Sequence, residues 1–287
     1  MASRTERLVG HVRLVHPFPS LLDGLVAAGA ALLAGGGWAV ALRIGLSMVL
    51  LQASVGALND RVDASHDAGR KPGKPIPAGL VRPVTAGLVA ILAGAAGMVL
   101  AVPSGGATVA LAAVLLALGY AYDLRLKGTP WSWLPFALAI PLFPTYGWLA
   151  AAGSLPPVWT IVLPTAVLAG AALAIGNAAV DVERDVDAGI ASVATRLGPD
   201  RAWTVHAVLL VAVVGLAGGS LLAGGGGGPA VLGVVAAGGL MAVGAALTRA
   251  SGPARRERGW ELEAVGSGLL AVAWLAGAVG AGMTAAG

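Results

Sequence analysis

The chain has 287 residues, of which 57% are hydrophobic and 11% are charged, and its formal net charge is +4. Ordinary soluble domains carry about 25% charged residues, so this composition excludes that class and indicates an integral membrane protein. The chain has no cysteine, which excludes disulfide bonds and thiolate metal sites.

Apolar segments of about 20 residues, the length that a helix needs to cross a bilayer, recur along the whole chain. They are continuous rather than alternating and rich in Ala, Leu and Gly, which favours helices over the strands of a barrel. We therefore predict an all-α fold: a polytopic bundle of nine transmembrane helices around a central cavity that opens near the cytoplasmic face. The predicted spans are 16–37, 40–58, 82–102, 105–122, 131–151, 157–180, 203–224, 229–248 and 262–284.

The basic residues predict how these helices are oriented. Every lysine and arginine except Arg43 lies at the N-terminus or in the connections after the second, fourth, sixth and eighth predicted helices. Because basic connections stay in the cytoplasm, we predict a multi-pass protein of the cell (inner) membrane with a cytoplasmic N-terminus and an external C-terminus. The positive charge thus reflects topology and contact with membrane lipid, and does not indicate nucleic-acid binding.

The second predicted helix ends in a polar stretch, whereas the first carries a single carboxylate, Asp23, which we expect to face a polar interior. Asn59, Asp63 and Asp67 are spaced i, i+4 and i+8, so they share one face of a helix. Their oxygens repel each other unless a cation lies among them, and Mg²⁺ takes carboxylate and amide oxygens. The basic residues that follow, Arg70, Lys71 and Lys74, are suited to an anion beside that metal.

The next two helices are marked by basic residues and by prolines. Arg125 and Lys127 follow the fourth predicted helix, where they either anchor the helix end or reach into a site. Pro135, Pro141 and Pro144 predict a bend or a break in the fifth helix.

A second polar stretch closes the sixth predicted helix. Asn177, Asp181 and Asp185 repeat the spacing of the first stretch, on the same side of the membrane and at a similar depth. Two opposed carboxylate faces suit two Mg²⁺ ions, and a diphosphate between them would balance their charge.

Two later features of the chain predict packing and anchoring rather than chemistry. The spacings Gly215–Gly219 and Gly239–Gly244 predict close helix contacts. The loop 249–263 is predicted to anchor the chain at the lipid headgroups, and we assign it no catalytic residue.

The two polar stretches resemble the aspartate-rich motifs of the UbiA superfamily of intramembrane prenyltransferases. The first motif, N-D-x-x-D-x-x-x-D, corresponds to Asn59, Asp60, Asp63 and Asp67, and the following Lys-Pro-Ile-Pro-Ala-Gly at 74–79 is also similar. The second motif, D-x-x-x-D, corresponds to Asp181 and Asp185. The segment 120–127 resembles the family's tyrosine and Leu-Lys segment after helix four. The resemblance implies a single UbiA-like domain over 1–287.

The resemblance implies Mg²⁺-dependent transfer of a prenyl group from a prenyl diphosphate to a lipophilic acceptor, which we expect to be aromatic, with release of diphosphate. The metal ligands that it implies are Asn59, Asp63, Asp67, Asp181 and Asp185; the four aspartates of this set and Asp60, in a supporting role, are the predicted catalytic residues. The substrate-binding residues that it implies are Arg70, Lys74, Tyr122, Arg125, Lys127 and Asn177.

This chain departs from the family pattern at two positions, and several alternatives stay open. His16 stands where family members commonly have Arg, and Asp123 precedes the Leu-Arg-Leu-Lys segment, where it would weaken the positive field if it faced the pocket. Asp23, Asp60 and Asp67 are alternative proton acceptors, whereas His66 is expected to face solvent. Cyclisation, hydrolysis or sugar-phosphate transfer would use the same motifs. An ion-coupled transporter would place polar groups at midplane, which the one-sided charges here disfavour.

Overall fold

The protein is described here from a computed structural model, which covers residues 3–69, 71 and 73–284. Over those residues it consists of thirteen α-helices joined by turns and contains no strand. The helices are α1 (Arg4–Leu14), α2 (Pro17–Leu33), α3 (Gly37–Asp67), α4 (Pro83–Ala101), α5 (Gly106–Ala121), α6 (Leu134–Ala139), α7 (Leu142–Ala152), α8 (Trp159–Val180), α9 (Val182–Asp187), α10 (Val193–Leu197), α11 (Pro199–Ala223), α12 (Gly228–Thr248) and α13 (Pro253–Gly280).

These helices confirm the all-α membrane fold that the apolar segments predict. Within the described ranges, eight helical stretches are long and apolar enough to cross a bilayer. A ninth span results if α1 and α2, which meet at a 46° bend, are counted as one. The fifth predicted span is broken between α6 and α7, where Pro141 lies, as its prolines predict.

The chain divides into two compact units. The first comprises residues Met1–Arg125 and Tyr146–Gly153, and the second comprises Leu126–Thr145 and Ser154–Gly287. The first aspartate-rich stretch belongs to the first unit, and the second stretch belongs to the second unit.

The first unit is built on α3, which packs against α2 and α4. Ser47 and Ser54, seven residues apart on α3, donate hydrogen bonds to the backbone carbonyls of Gly97 and Ala90 on α4, each at 2.6 Å. Since each hydroxyl proton is thereby used, the serine oxygens accept from tyrosine hydroxyls: Ser47 from Tyr146 and Ser54 from Tyr120. The polar groups of this apolar interior therefore bond to each other.

Arg43, the one basic residue outside the basic segments, is also accommodated inside the first unit. Its guanidinium donates to the carbonyl of Leu100 at 2.6 Å and to the hydroxyl of Ser104 at 2.8 Å. Both acceptors lie where α4 ends, so a cation there meets the negative end of the helix dipole.

In the second unit, α12 and α13 form the most extensive helix pair. A Cβ added to Gly244 of α12 would lie 2.6 Å from the backbone oxygen of Gly259 on α13, so this contact requires glycine. The packing prediction is therefore right for Gly244. It is wrong for Gly215, Gly219 and Gly239, because no described atom of another segment lies within 4 Å of a Cβ added at these positions.

Candidate functional site

The first aspartate-rich stretch lies entirely on α3, which continues without interruption to Asp67. Asn59, Asp63 and Asp67 therefore share one helix face, as their spacing predicts. Asn59 and Asp63 are half-buried, while Asp67 is 2% exposed. His66 is exposed, as predicted.

Asp60 lies about 100° around the helix from that face and has different surroundings. It is 2% exposed, and its Oδ1 accepts a hydrogen bond from His16 Nε2 at 2.9 Å and another from the ammonium of Lys74. An ionised carboxylate only accepts, so the Nε2–H of His16 faces Asp60. His16, which stands where the family pattern commonly has Arg, thus orients Asp60.

The backbone accommodates His16 in an uncommon way. Its φ is 46°, which makes it the single non-glycine residue with positive φ among those described. A Cβ added to Gly56, one turn before Asp60, would lie 3.1 Å from the imidazole ring, so glycine leaves the space that the ring occupies. Strain of this kind persists only where surrounding contacts hold it, here the bond to Asp60.

The loop after the first stretch is anchored on both sides of Lys74. Ile76 and Val81 are buried in one cluster with Leu14 of α1 and Ala57 of α3. The ammonium of Lys74 is held by Asp60 while two of its three protons remain for other acceptors. Lys71, which is half-buried, donates its backbone N–H to the carbonyl of Asp67 at 3.0 Å. The predicted ligand Arg70 lies outside the described residues.

Asn59 is oriented by Asp123, one of the two positions at which this chain departs from the family pattern. Its amide Nδ2 donates to Asp123 Oδ1 at 2.8 Å, and Asp123 is 6% exposed. A π-helical turn, Tyr122–Leu126, follows α5 and brings Asp123 to this position. Because the amide nitrogen of Asn59 is hydrogen-bonded to this carboxylate, its amide oxygen is the atom that can bind a cation. Of the predicted substrate ligands in this turn and just after it, Tyr122 is half-buried, and Arg125 and Lys127 are exposed.

The second aspartate-rich stretch differs from the first, because the helix that carries it is interrupted. α8 ends at Val180, Asp181 has φ −105° and ψ 14°, and α9 begins at Val182. Asn177, Asp181 and Asp185 therefore do not lie on one continuous helix, which corrects the predicted i, i+4, i+8 face. All three are half-buried.

Two local hydrogen bonds hold this break. Asp181 Oδ1 accepts from the guanidinium of Arg184 at 2.6 Å, and the carbonyl of Asp181 accepts from the backbone N–H of Asp185 at 2.9 Å. A third set of contacts comes from α13, whose Arg256 is 7% exposed and binds the carbonyl of Val180 and the carboxylate of Glu183. The sequence predicted only a membrane anchor at Arg256, and no local signal reveals partners more than 70 residues away.

A cavity of about 430 Å³ lies in the second unit, and α9 forms part of its wall. Glu183 and Asp187 line it, together with Arg249 and Arg256, but neither Asp181 nor Asp185 does. Two acidic residues of α9 therefore line this cavity, whereas the predicted metal-binding aspartates do not.

The described residues do not form a complete Mg²⁺ cage by themselves. Among the described residues, no three His, Cys, Asp or Glu side chains converge into a metal cage. Mg²⁺ usually keeps several waters and is held by one or two carboxylates together with substrate phosphates. That mode of binding fits the groups present here. Each stretch offers two aspartates, and the first also offers the amide oxygen of Asn59, which the bond to Asp123 does not use.

Comparison with known sequences gives a family match over most of the chain. The profile described as the UbiA prenyltransferase family matches residues 24–265. A digeranylgeranylglyceryl phosphate synthase of Methanopyrus kandleri is 32% identical over 166 residues, which are 56% of this chain and 59% of the relative. The match thus spans less than two thirds of that relative's length.

Comparison with solved structures gives the same fold. A UbiA homologue from Aeropyrum pernix K1 superposes with a TM-score of 0.72 at 20% identity, over 91% of this chain and 96% of the other. A UbiA homologue from Archaeoglobus fulgidus, solved with DMAPP and Mg²⁺, gives a TM-score of 0.62 at 22% identity, over 74% and 77% of the two chains.

Proposed function

This chain belongs to the UbiA prenyltransferase family, and on that premise we propose that it transfers the prenyl group of a prenyl diphosphate to a lipophilic acceptor in a Mg²⁺-dependent reaction. The chain is an integral multi-pass membrane protein and a transferase of prenyl groups. The observation that carries the finer proposal is the uninterrupted ligand face Asn59, Asp63 and Asp67 on α3, beside a loop that fixes the cation Lys74.

The diphosphate head is proposed to bind through both aspartate-rich stretches. Asn59, Asp63 and Asp67 hold one side through Mg²⁺, and Asp181 and Asp185 hold the other, so that the whole chain 1–287 acts as one catalytic domain. When bound, Mg²⁺ supplies positive charge at the oxygens on which negative charge grows as the allylic C–O bond breaks. The solved homologue that carries DMAPP and Mg²⁺ supports this choice of donor and metal.

The basic residues that follow the first stretch and α5 in the sequence are proposed to receive the leaving diphosphate. Lys74 keeps two ammonium protons for its oxygens, while Arg125 and Lys127 stand exposed after α5. Arg70 is a further candidate on its sequence position, and Tyr122 and Asn177 are proposed to contact substrate. Preorganised cations of this kind stabilise negative charge in the transition state without reorganising during the reaction.

The hydrocarbon tail is proposed to run among the apolar helices, which keep water away from the allylic cation. The acceptor's electron pair forms the new bond to that cation, and its proton then passes to a carboxylate. Asp60 already accepts two hydrogen bonds on Oδ1, so it is better suited to hold Lys74 than to take that proton. Asp67 and Asp23 remain the alternatives, and Asp67 lies on the ligand face itself.

Two classes of acceptor are proposed. The family resemblance favours an aromatic ring. The name of the Methanopyrus kandleri relative supports a lipid that carries a glyceryl phosphate. We further infer that the protein lies in the cell's inner membrane with its N-terminus and the site loops in the cytoplasm, since the basic connections gather there.

The test offers purified protein a labelled prenyl diphosphate with one acceptor of each class and identifies lipophilic products by mass spectrometry. We expect one acceptor to gain the prenyl group in Mg²⁺ and neither to do so in chelator. Turnover that persists in chelator would overturn the metal requirement. A cyclic or hydrolysed product, or a transferred sugar phosphate, would identify one of the other reactions, and ion-driven uptake without turnover would identify a transporter.

The shared diphosphate is tested by Asp63→Ala, Asp181→Ala and the double variant, with Asp200→Asn as a control, because the side chain of Asp200 is 96% exposed. Each single variant is expected to lose about 100-fold or more in kcat/KM, which is the order of one lost transition-state contact. Residues that act as a unit are not additive, so the double variant should lose little more than the worse single variant. Multiplied losses in folded protein would indicate two separate sites.

A further inference from the structure

The first turns of α13 present one polar face to α8. Arg256 binds the carbonyl of Val180 through Nε at 3.4 Å and Nη2 at 3.2 Å, and Trp260 Nε1 donates to the carbonyl of Leu173 at 3.0 Å. The third residue of that face, Glu263, shares a hydrogen bond with His206 Nε2 at 2.9 Å. Since these residues of α13 are spaced i, i+4 and i+7, they lie on one side of the helix.

Arg256 is the member of this face that lies at the break between α8 and α9. Val180 is the last residue of α8, and Glu183 is in the first turn of α9. Arg256 Nη1 donates to Glu183 Oε1 at 2.8 Å, and Nη2 donates to Glu183 Oε2. One guanidinium therefore joins the carbonyl end of one helix to the amide end of the next, with Asp181 between them.

The electrostatics of both helix ends favour this bridge. A cation is stabilised at the carbonyl end of a helix, and an anion is stabilised in the first turn of one. Arg256 and Glu183 occupy those two positions and also neutralise each other. The planar guanidinium fixes its donors in a fork, so it constrains direction as well as distance.

The short helix α9 depends on such a bridge for its direction. It has six residues, too few to be stable without contacts to other segments. The bonds of Asp181 to Arg184 and to the N–H of Asp185 act within the stretch itself. The contact of Glu183 with Arg256, which is nine-tenths buried, ties α9 to α13.

We propose that Arg256 is a positioning residue for the second aspartate-rich stretch: it fixes the angle at which α9 leaves α8 and thereby the positions of Asp181 and Asp185. This inference rests on the proposed function, because it assigns those aspartates to the diphosphate site. It predicts that losing Arg256 spoils metal and donor binding through geometry, although its side chain touches neither.

The angle is measured directly with spin labels on the full-length protein. The chain has no cysteine, so Ile161→Cys on α8 and Ala188→Cys after α9 give one labelled pair. If the helices were collinear, these positions would lie roughly 40 Å apart, within the range of dipolar spectroscopy. Arg256→Gln is expected to broaden and shift the distance distribution. Trp260→Phe, which removes a comparable hydrogen bond to α8 away from the break, should leave it unchanged.

The kinetic arm uses the same variants without labels. Arg256→Gln is expected to raise the Mg²⁺ concentration for half-maximal activity and the donor KM by about 10-fold, the effect of roughly 1.4 kcal/mol. Arg256→Lys should recover part of the loss, since an ammonium keeps the charge but not the fork. Trp260→Phe should keep the wild-type values.

The proposal is overturned if Arg256→Gln keeps both the wild-type distance distribution and the wild-type Mg²⁺ requirement, or if Trp260→Phe changes them equally. Should Arg256→Gln fail to fold, Glu183→Ala removes the α9 half of the bridge at a side chain that is 63% exposed. Unchanged distances in that variant would also overturn the proposal. If wild-type protein shows no Mg²⁺-dependent transfer, the proposed function fails, while the distance measurement still decides whether Arg256 sets the angle.

Discussion

Replacing Asp60 by Asn exchanges one carboxylate oxygen for an amide nitrogen at a buried side chain of the first unit. The side chain of Asp60 is 1% exposed, whereas its partners His16 and Lys74 are 30% and 23% exposed. Both partners donate to Oδ1, and within the described structure the other oxygen, Oδ2, is buried with no hydrogen-bond partner. The substitution therefore removes a charge and adds a donor at an apolar position.

The expected cost follows from these contacts. A hydrogen bond to a charged group contributes about 1.5–3 kcal/mol, and a neutral one about 1 kcal/mol, so converting two bonds costs about 1–4 kcal/mol. Burying an amide N–H without an acceptor costs about 1–3 kcal/mol more. Because His16 and Lys74 are partly hydrated, we expect a total in the lower half of the summed range, about 3 kcal/mol, which lowers the melting temperature by roughly 6–12 °C.

The assay is thermal unfolding in detergent, followed by the fluorescence of the eight tryptophans. Asp200→Asn is the matched control, because it makes the same chemical change on a side chain that is 96% exposed and 3.9 Å from Arg249. Exposed ion pairs contribute little, so the control should melt with the wild type. Equal melting of Asp60→Asn and wild-type protein would refute the reasoning, and so would equal losses in the two variants.

Three further substitutions test helix packing, two in the first unit and one, Gly215→Ala, in the second. A Cβ on Gly147 would lie 2.0 Å from the backbone oxygen of Ala27, so Gly147→Ala must force two helices apart and is expected to cost about 3 kcal/mol. A Cβ on Gly215 would meet no described atom of another segment within 4 Å, so Gly215→Ala should raise the free energy of unfolding by up to about 1 kcal/mol, because Ala favours the helix more than Gly does. A melting temperature below that of the wild type would contradict this expectation. Tyr146→Phe removes the hydroxyl that donates to Ser47 at 2.6 Å and should cost about 1 kcal/mol in the same unfolding assay; no loss would mean that this bond contributes nothing net.

The face of the first aspartate-rich stretch was predictable because it depends on helix geometry alone. Spacing of i, i+4 and i+8 puts Asn59, Asp63 and Asp67 together on any continuous helix, and α3 is continuous there. The long-range bonds made by this stretch were not predictable. His16 lies 44 residues before Asp60, and Asp123 lies 64 residues after Asn59.

The second stretch illustrates the limit of the same reasoning. Residues 177–185 contain no Gly or Pro, so nothing in their sequence marks a helix break. The structure nevertheless breaks the helix at Asp181, where Arg256, 76 residues after Val180, binds the last carbonyl of α8. The repeated spacing thus predicted one continuous helix face, and that local geometry is wrong.

The two predicted glycine spacings, Gly215–Gly219 and Gly239–Gly244, differ in whether they lie at a helix contact. Gly244 lies where the backbones of α12 and α13 touch, whereas a Cβ added to Gly215 or Gly219 would meet no described atom of another segment within 4 Å. Spacing fixes which glycines share a helix face, but which face meets another helix depends on the packing of the whole unit.

The sequence by itself indicated the apolar spans and the positions of the two aspartate-rich stretches. Of the nine predicted spans, the described residues form eight, and a ninth if α1 and α2 count as one; the second span ends nine residues later than predicted, at Asp67, and the last begins nine residues earlier, at Pro253. The spans themselves could be read from the sequence for a local reason. The transfer of an apolar helix into lipid depends on that segment's own length and composition.

Only the tertiary structure decided which polar groups meet: Asp60 with His16 and Lys74, and Arg256 with the end of α8. In an interior without water, a buried polar group is stabilised by whichever partner is near in space, and distance along the chain does not select that partner.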